Sequence, residues 1–145
     1  MRSPVITTAE VPDTLWQNAR SASQGKASGR LRLPWLLAEA YREVLQESGL
    51  LANALNSAPN DEGPQGGVTS EATNQHFARN FSGSCARVEF VALDPIEVFR
   101  TSRDVFVRLL AGGDLHLLDL PCGAGAASAT LLCLAAELRQ QGRLP

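Results

Sequence analysis

The dominant pattern of hydrophobic and polar positions in this chain has the period of an amphipathic helix. From Leu33 onward, apolar residues recur at steps of three and four, and Pro34 stands where the first turn of a helix tolerates it. After Gly49 the letters LLANAL resume the pattern briefly, and a weaker stretch that begins at Ser70 carries two phenylalanines on one side. We therefore expect a helix after Leu33, a short helix within LLANAL and a further short helix after Ser70.

A second group of helical signals lies in the C-terminal half. The letters DPIE at positions 94–97 combine a capping aspartate, a proline suited to the first helical position and an acid in the first turn. An apolar stripe follows and ends at Gly112, so a helix is predicted over residues 95–111. The preceding letters CARVEFVALDP alternate for a few residues, and both a short strand and a helix stay open there.

After this predicted helix the pattern changes from periodic to continuously apolar. LHLLDL, near residues 115–120, is short and apolar enough for a strand that is buried on both faces of a parallel sheet. PCGAG then makes a tight turn, and small residues followed by an apolar stripe predict a helix over residues 125–141. Strand, glycine turn and helix form the first half of a crossover unit, so we expect an α/β fold in this part of the chain.

Polar and glycine-rich stretches separate these elements. NSAPNDEGPQGGVTS is the strongest candidate boundary, and it divides an N-terminal helical region with flexible segments, residues 1–66, from residues 67–145. Residues 1–12 and 57–68 have neither caps nor stripes and are expected to be poorly ordered. TLWQNARSA after Asp13 predicts a short helix, and SASQGKASGR has the composition of a flexible connector.

Composition narrows the class of protein without identifying it. At 145 residues, with 44% hydrophobic and 19% charged residues, the chain is expected to be a soluble globular protein. The net charge of -2 is spread evenly, so no charge asymmetry indicates binding to nucleic acid or to a membrane surface. No stretch is apolar enough to span a bilayer, and the first residues lack the core of a secretion signal, so the cytoplasm is the expected compartment. The sequence carries no signature of oligomeric state.

The cysteines and histidines do not form a metal-binding pattern. Cys85, Cys122 and Cys133 have no C-x-x-C spacing, and His76 and His116 lie far apart in the sequence. A disulfide framework and a zinc site are therefore not expected. Cys122 has no neighbouring base in the sequence, so a small packing residue is a simpler interpretation than a nucleophile.

The turn PCGAG has the chemistry of a ligand-binding loop. Gly123 and Gly125 let the backbone approach a ligand closely, and the predicted helix after them points free N–H groups toward the same space. Asp119, at the end of the predicted strand, would add a carboxylate there. Because a negative charge repels a pyrophosphate and attracts an ammonium group, this aspartate favours a ligand with a positive charge. Capping of the turn is the structural alternative for Asp119.

The letters DLPCGAG resemble the first motif of class I S-adenosylmethionine-dependent methyltransferases, a hydrophobic strand followed by D/E-x-G-x-G-x-G, with Pro121 in place of the first glycine. The resemblance covers about residues 94–142 and implies a Rossmann-like domain that binds S-adenosylmethionine as its cofactor. It also implies that Asp119 lies beside the amino group of the methionine part. Gly123 and Gly125 would permit close passage of the cofactor.

The same resemblance implies roles for further residues. The backbone of Pro121 and Cys122 would form the adjoining wall of the cofactor site. An N-terminal helix can cover the cofactor in this family, and Arg79 could meet the cofactor carboxylate there, although a solvated helix face is the simpler interpretation of His76 and Arg79. The catalytic residues and the methyl acceptor are not assigned.

The resemblance also predicts what the chain should lack. The family places an acid that binds the ribose at the end of its next strand and acceptor-binding residues later still, and both would lie beyond Pro145. We therefore expect the chain to be the front part of a methyltransferase that is inactive alone. The alternative function is a noncatalytic α-helical or α/β interaction domain that retains the loop as structure.

Overall fold

The computed structural model describes residues 14–18, 29–56, 69–112, 114–120 and 123–145, and these residues are mainly helical. Two strands of three residues each, β1 (Trp16–Asn18) and β2 (Gly29–Leu31), pair in antiparallel fashion, with Trp16 opposite Leu31. The helices that follow are α1 (Trp35–Glu47), α2 (Leu51–Leu55), α3 (Ser70–Leu93), α4 (Arg100–Ala111) and α5 (Ala126–Gln140).

The predicted α/β, Rossmann-like fold is wrong for the described residues. Residues 114–120 belong to no strand, and none of them exchanges a backbone hydrogen bond with another described residue. A strand forms only when a neighbouring strand takes its N–H and C=O groups, whereas a helix satisfies them internally. The described strands β1 and β2 pair with each other and leave LHLLDL without a partner. The apolar composition of LHLLDL therefore predicted a strand, but no described strand pairs with this segment.

Most of the predicted helices are confirmed. Helix α1 follows Leu33, α2 lies within LLANAL, and α5 occupies almost all of residues 125–141. The short helix predicted after Ser70 is longer than expected, because α3 continues to Leu93 and includes the stretch CARVEFVAL. The Thr69 side chain accepts a hydrogen bond from the Ala72 N–H at 3.1 Å and thereby caps the start of this helix.

The predicted helix over residues 95–111 is correct only in its second part, since α4 begins at Arg100. Asp94 ends α3 in a left-handed conformation, with φ of 43°. Its fully buried carboxylate accepts hydrogen bonds from the N–H groups of Val98 at 2.7 Å and Phe99 at 2.6 Å. Asp94 therefore holds the turn between α3 and α4 instead of capping a helix that begins at residue 95.

The short helix predicted after Asp13 is also wrong. Thr14 and Leu15 form a turn that leads directly into β1, and the Leu15 carbonyl accepts a hydrogen bond from the Arg32 N–H at 2.8 Å. The expectations for residues 1–12 and 57–68 lie outside the described residues, as does the predicted connector SASQGKASGR up to residue 28. The last two residues of that connector, Gly29 and Arg30, belong to β2 and not to a flexible segment.

Two hydrophobic clusters hold the helices together. The larger cluster joins α3, α4 and α5, and its buried members are Leu15, Ala92, Leu93, Val107, Leu110, Leu134, Ala135, Leu138 and Leu144. The smaller cluster, Leu37, Phe81 and Cys85, packs α1 and the middle of α3 against the start of α5. Leu15 therefore shares a core with the C-terminal helices. The division between residues 1–66 and 67–145 stays a prediction, because its boundary lies outside the described residues. None of the described helices has the length and apolarity needed to cross a membrane.

Candidate functional site

A cleft of about 240 Å³ lies between α3 and the loop that precedes α5. Two phenylalanines of α3, Phe77 and Phe81, form part of its apolar lining. Its polar and loop residues are His76, Asn80 and Ser84 on α3 and Asp119, Gly123 and Ala124 on the loop side. Asp119 and Gly123, which the sequence predicts as ligand-binding residues, thus border one cleft.

Asp119 is anchored to the first turn of α5. Its Oδ2 accepts hydrogen bonds from the Ser128 hydroxyl at 2.8 Å and from the Ser128 N–H at 3.3 Å. The carboxylate therefore lies at the positive end of the helix dipole, where it already supplies the negative charge that this end attracts. A phosphate would be repelled there, and a ligand with a positive charge would be attracted. Asp119 is only half-buried, and its Oδ1 receives no hydrogen bond from the described residues.

Gly123 and Gly125 adopt left-handed backbone conformations, with φ of 51° and 72°. A side chain would be strained at either position, because L-residues other than glycine rarely adopt these angles. Within the described structure, nothing lies within 4 Å of a Cβ built at either glycine. The turn conformation, and not close packing, therefore requires glycine here, and the space above the loop is open to a ligand.

The α3 wall of the cleft carries a hydrogen-bonded pair of side chains. The Asn80 Nδ2 and the His76 Nδ1 lie 3.2 Å apart, and in the tautomer that lets Nδ1 accept from the amide N–H the imidazole proton is on Nε2. The Tyr41 hydroxyl donates to the Ala78 carbonyl at 2.7 Å, and the Tyr41 ring stacks on Phe81 with centroids 5.1 Å apart. These contacts with α1 hold this part of α3 in place.

The remaining predicted site residues are placed differently. Gly125 is the N-cap of α5, directly beyond the cleft. Pro121 and Cys122 lie outside the described residues. Arg79 does not border this cleft; it is exposed and lines a separate cleft of about 310 Å³ with residues of α1 and α2. Asn80 was not among the predicted site residues, although its spacing of four residues from His76 places both side chains on one helix face.

A larger cleft, of about 950 Å³, lies between α1 and α5. The carboxylate of Glu137 in its wall already accepts hydrogen bonds from the Thr14 hydroxyl, the Trp35 N–H and the Gln141 side-chain amide, at 2.8, 2.8 and 3.1 Å. This glutamate joins the N-terminal segment and α1 to α5. The Cys133 thiol also lines this cleft, and burial raises its pKa, so the reactive thiolate is disfavoured.

A buried carboxyl group lies between α3 and α5. Glu89 is fully buried, and neither of its side-chain oxygens has a hydrogen-bond partner among the described residues. Burial, together with the negative charge of Glu137, raises the pKa of Glu89 to about 9. Burial likewise raises the pKa of the Cys85 thiol, one helical turn earlier on α3. Glu89 does not border any of the clefts described above, so it affects stability more directly than binding.

The cleft beside Asp119 combines one carboxylate with polar side chains and aromatic rings, and no thiol borders it among the described residues. No group of three histidine, cysteine, aspartate or glutamate side chains in the described ranges could hold a metal ion.

Comparison with known proteins gives no match: no family model, no curated protein and no solved structure matches this chain.

Proposed function

We propose that the cleft beside Asp119 is the methionine-side part of a binding site for S-adenosylmethionine, and that methyl transfer belongs to a complete protein that contains this chain. One observation carries the proposal: the Asp119 carboxylate and the left-handed Gly123 border the same cleft. The carboxylate suits the ammonium group of the methionine part, and the glycine, which has no side chain, lets the cofactor pass close to the protein backbone. The resemblance of DLPCGAG to the methyltransferase motif supplies the identity of the ligand. A cytoplasmic location is part of the proposal and rests on the sequence alone.

The size of the cleft sets the expected affinity. Its 240 Å³ lies below the roughly 300–1,000 Å³ of common small-molecule sites, so it suits only a part of S-adenosylmethionine. Asp119 is the only acid among the described residues that border it, and no second acid is placed to bind the ribose. We therefore expect the chain alone to bind weakly, with a dissociation constant of millimolar order, and to transfer no methyl group.

A titration monitored by nuclear magnetic resonance tests the proposal. On addition of S-adenosylmethionine, the amide signals that move should be those of Gly123, Ala124 and Ser128, together with those of α3 beside the cleft. Asp119→Asn keeps the shape of the side chain and removes its charge, so binding should weaken by about 1 to 3 kcal/mol. Asp114→Asn, at an exposed position of the same segment, is the matched control and should leave binding unchanged.

The two outcomes of this titration are distinct. Shifts at the loop that disappear in Asp119→Asn, with an unchanged melting temperature, support the cofactor site. Equal binding by the wild type and Asp119→Asn, or no shift at the loop at millimolar ligand, would overturn it.

A second function is favoured by the exposed segment before the loop. Leu118 and Leu120 are 81% and 77% exposed, and the backbone of residues 114–120 is unpaired among the described residues. In a noncatalytic interaction domain, this segment would contact another protein and the Asp119–Ser128 pair would only close the turn. Asp119→Asn would then lower the melting temperature, and S-adenosylmethionine would leave the loop signals unchanged.

A further inference from the structure

The two walls of the cleft beside Asp119 have opposite hydrogen-bonding chemistry. The loop wall presents a carboxylate that accepts hydrogen bonds, and the α3 wall presents His76 and Asn80, whose mutual hydrogen bond is 3.2 Å long. In the tautomer whose Nδ1 accepts from the Asn80 N–H, the Nε2–H of His76 is left as a donor, and the Asn80 amide retains a second N–H. A ligand in this cleft can therefore meet an anionic acceptor on one side and two neutral donors on the other.

We propose that His76 and Asn80 bind the carboxylate of an α-amino acid group whose ammonium group lies against Asp119. The inference rests on the proposed function and deepens it, because it assigns the amino acid end of S-adenosylmethionine to named residues on both walls. An α-amino acid carries its ammonium and carboxylate groups on the same carbon, so the two walls of one small cleft can contact them together. Neutral donors suffice for the carboxylate, since its own ammonium group and Asp119 already form the ion pair.

Arg79 takes no part in this arrangement. Its side chain is one position before Asn80 on α3, which turns it about a quarter of the helix circumference away and into the separate cleft with α1 and α2. The carboxylate therefore meets an imidazole and an amide, not the guanidinium that the sequence suggested.

A simpler cation is the competing ligand class. Phe77 and Phe81 line the same cleft, and aromatic faces attract ammonium and sulfonium groups without any need for a carboxylate. The two classes differ in one chemical group, so ligands matched in everything except the carboxylate distinguish them.

The experiment compares S-adenosylmethionine with its decarboxylated form, which keeps the sulfonium and the ammonium groups. The wild-type chain should bind S-adenosylmethionine at least about tenfold more tightly, since only this ligand has a carboxylate that can accept hydrogen bonds from His76 and Asn80. Asn80→Leu should remove most of this preference and leave the affinity for the decarboxylated ligand unchanged. Asn74→Leu, at an exposed position of the same helix, should bind both ligands as the wild type does. If Asn80→Leu folds poorly, Asn80→Asp serves as the second variant. Its added negative charge should repel the carboxylate, so that the decarboxylated ligand binds more tightly than S-adenosylmethionine.

L-Methionine and 3-(methylthio)propylamine form a second matched pair, which tests the amino acid site without the nucleoside. Equal affinity of the wild type for S-adenosylmethionine and its decarboxylated form would overturn the roles of His76 and Asn80 and leave the proposed cofactor intact. A preference for L-methionine over the amine, with no contribution from the nucleoside, would overturn the cofactor and keep the amino acid site. Binding of neither pair would overturn both.

Discussion

The interface of α3, α4 and α5 and the segment over residues 114–120 are both rich in leucine, yet they differ completely in burial. In the interface, Leu134 and Leu138 are 0% exposed, whereas Leu118 and Leu120 in the segment are 81% and 77% exposed. A helix satisfies its own backbone and needs cover on one face alone, but an extended segment needs partners along its edges as well. Apolar side chains are therefore buried here where the backbone is satisfied locally.

Two aspartates repeat this contrast. Asp94 is fully buried, and both of its oxygens accept short hydrogen bonds from backbone N–H groups. Asp119 is half-buried, and among the described residues only one of its oxygens accepts hydrogen bonds, both from Ser128. The described residues thus bond both oxygens of the first carboxylate and one oxygen of the second. The comparison predicts that substitutions at the interface reduce stability and substitutions at the segment do not.

The largest effect is expected for Leu134→Ala. Leu134 is fully buried between the helices, so its truncation should reduce the free energy of unfolding by about 2 to 5 kcal/mol. Leu118→Ala removes the same atoms from an exposed position and should change it by no more than about 0.5 kcal/mol. Chemical denaturation of both variants gives the two values. Equal losses would mean that the segment is covered in solution, and the comparison would fail.

Asp94→Ala should have the next largest effect. It removes the acceptor of two backbone N–H groups and places alanine in a left-handed conformation, so a loss of about 1.5 to 3 kcal/mol is expected. Asparagine tolerates the left-handed backbone conformation, so Asp94→Asn should lose less stability than Asp94→Ala. Asp119→Ala should change thermal stability least of the three. A loss for Asp119→Ala as large as that for Asp94→Ala would mean that both carboxylates are structural.

The pH dependence of stability sharpens the comparison inside the buried interface. The pKa of Glu89 in the folded protein, about 9, lies above its ordinary value of 4.5. Between these two pH values the folded protein holds a proton that the unfolded chain has lost. The contribution of Glu89 to the free energy of unfolding is therefore fully present below pH 4.5 and falls as the pH rises toward 9.

From about pH 6 to pH 8 we expect a loss of about 1 to 2 kcal/mol, below the ceiling of about 1.4 kcal/mol per pH unit for one group. Glu89→Gln should flatten this part of the stability profile, and Glu43→Gln, at an exposed position of α1, should not alter its slope. Urea denaturation at a series of pH values provides the measurement. A slope in Glu89→Gln that matches the wild type would show that another group titrates there.

The smallest effect on stability, and a clear one on association, is expected for Leu118→Lys. An exposed apolar segment with unpaired backbone groups favours edge-to-edge pairing between molecules, and a lysine opposes it. The melting temperature should stay the same while light scattering shows less self-association. Leu36→Lys adds the same charge to an exposed position on α1 and serves as the control. Equal reductions in both variants would attribute the effect to net charge and not to the segment.

Much of the helical structure and part of the site could be predicted from local patterns. The apolar stripes predicted α1, α4 and α5, and the letters DLPCGAG pointed to Asp119 and Gly123, which do border one cleft. The opposite wall could not be predicted, because Asn80 lies 39 positions before Asp119 and shares a cleft with it only through the packing of α3 against α5. Arg79, which the resemblance offered as a possible partner of the cofactor carboxylate, lines another cleft.

The sequence by itself determined the features whose interactions are local. Helices bond within themselves, and the left-handed turns at Gly123 and Gly125 follow from the freedom of glycine at positive φ. The tertiary structure decided what depends on distant neighbours: whether LHLLDL becomes a strand, which side chains share a cleft with Asp119, and that Glu89 is buried with no hydrogen-bond partner among the described residues. Strand pairing, burial and the meeting of two walls all depend on contacts between residues far apart in the chain, and composition and periodicity do not record those contacts.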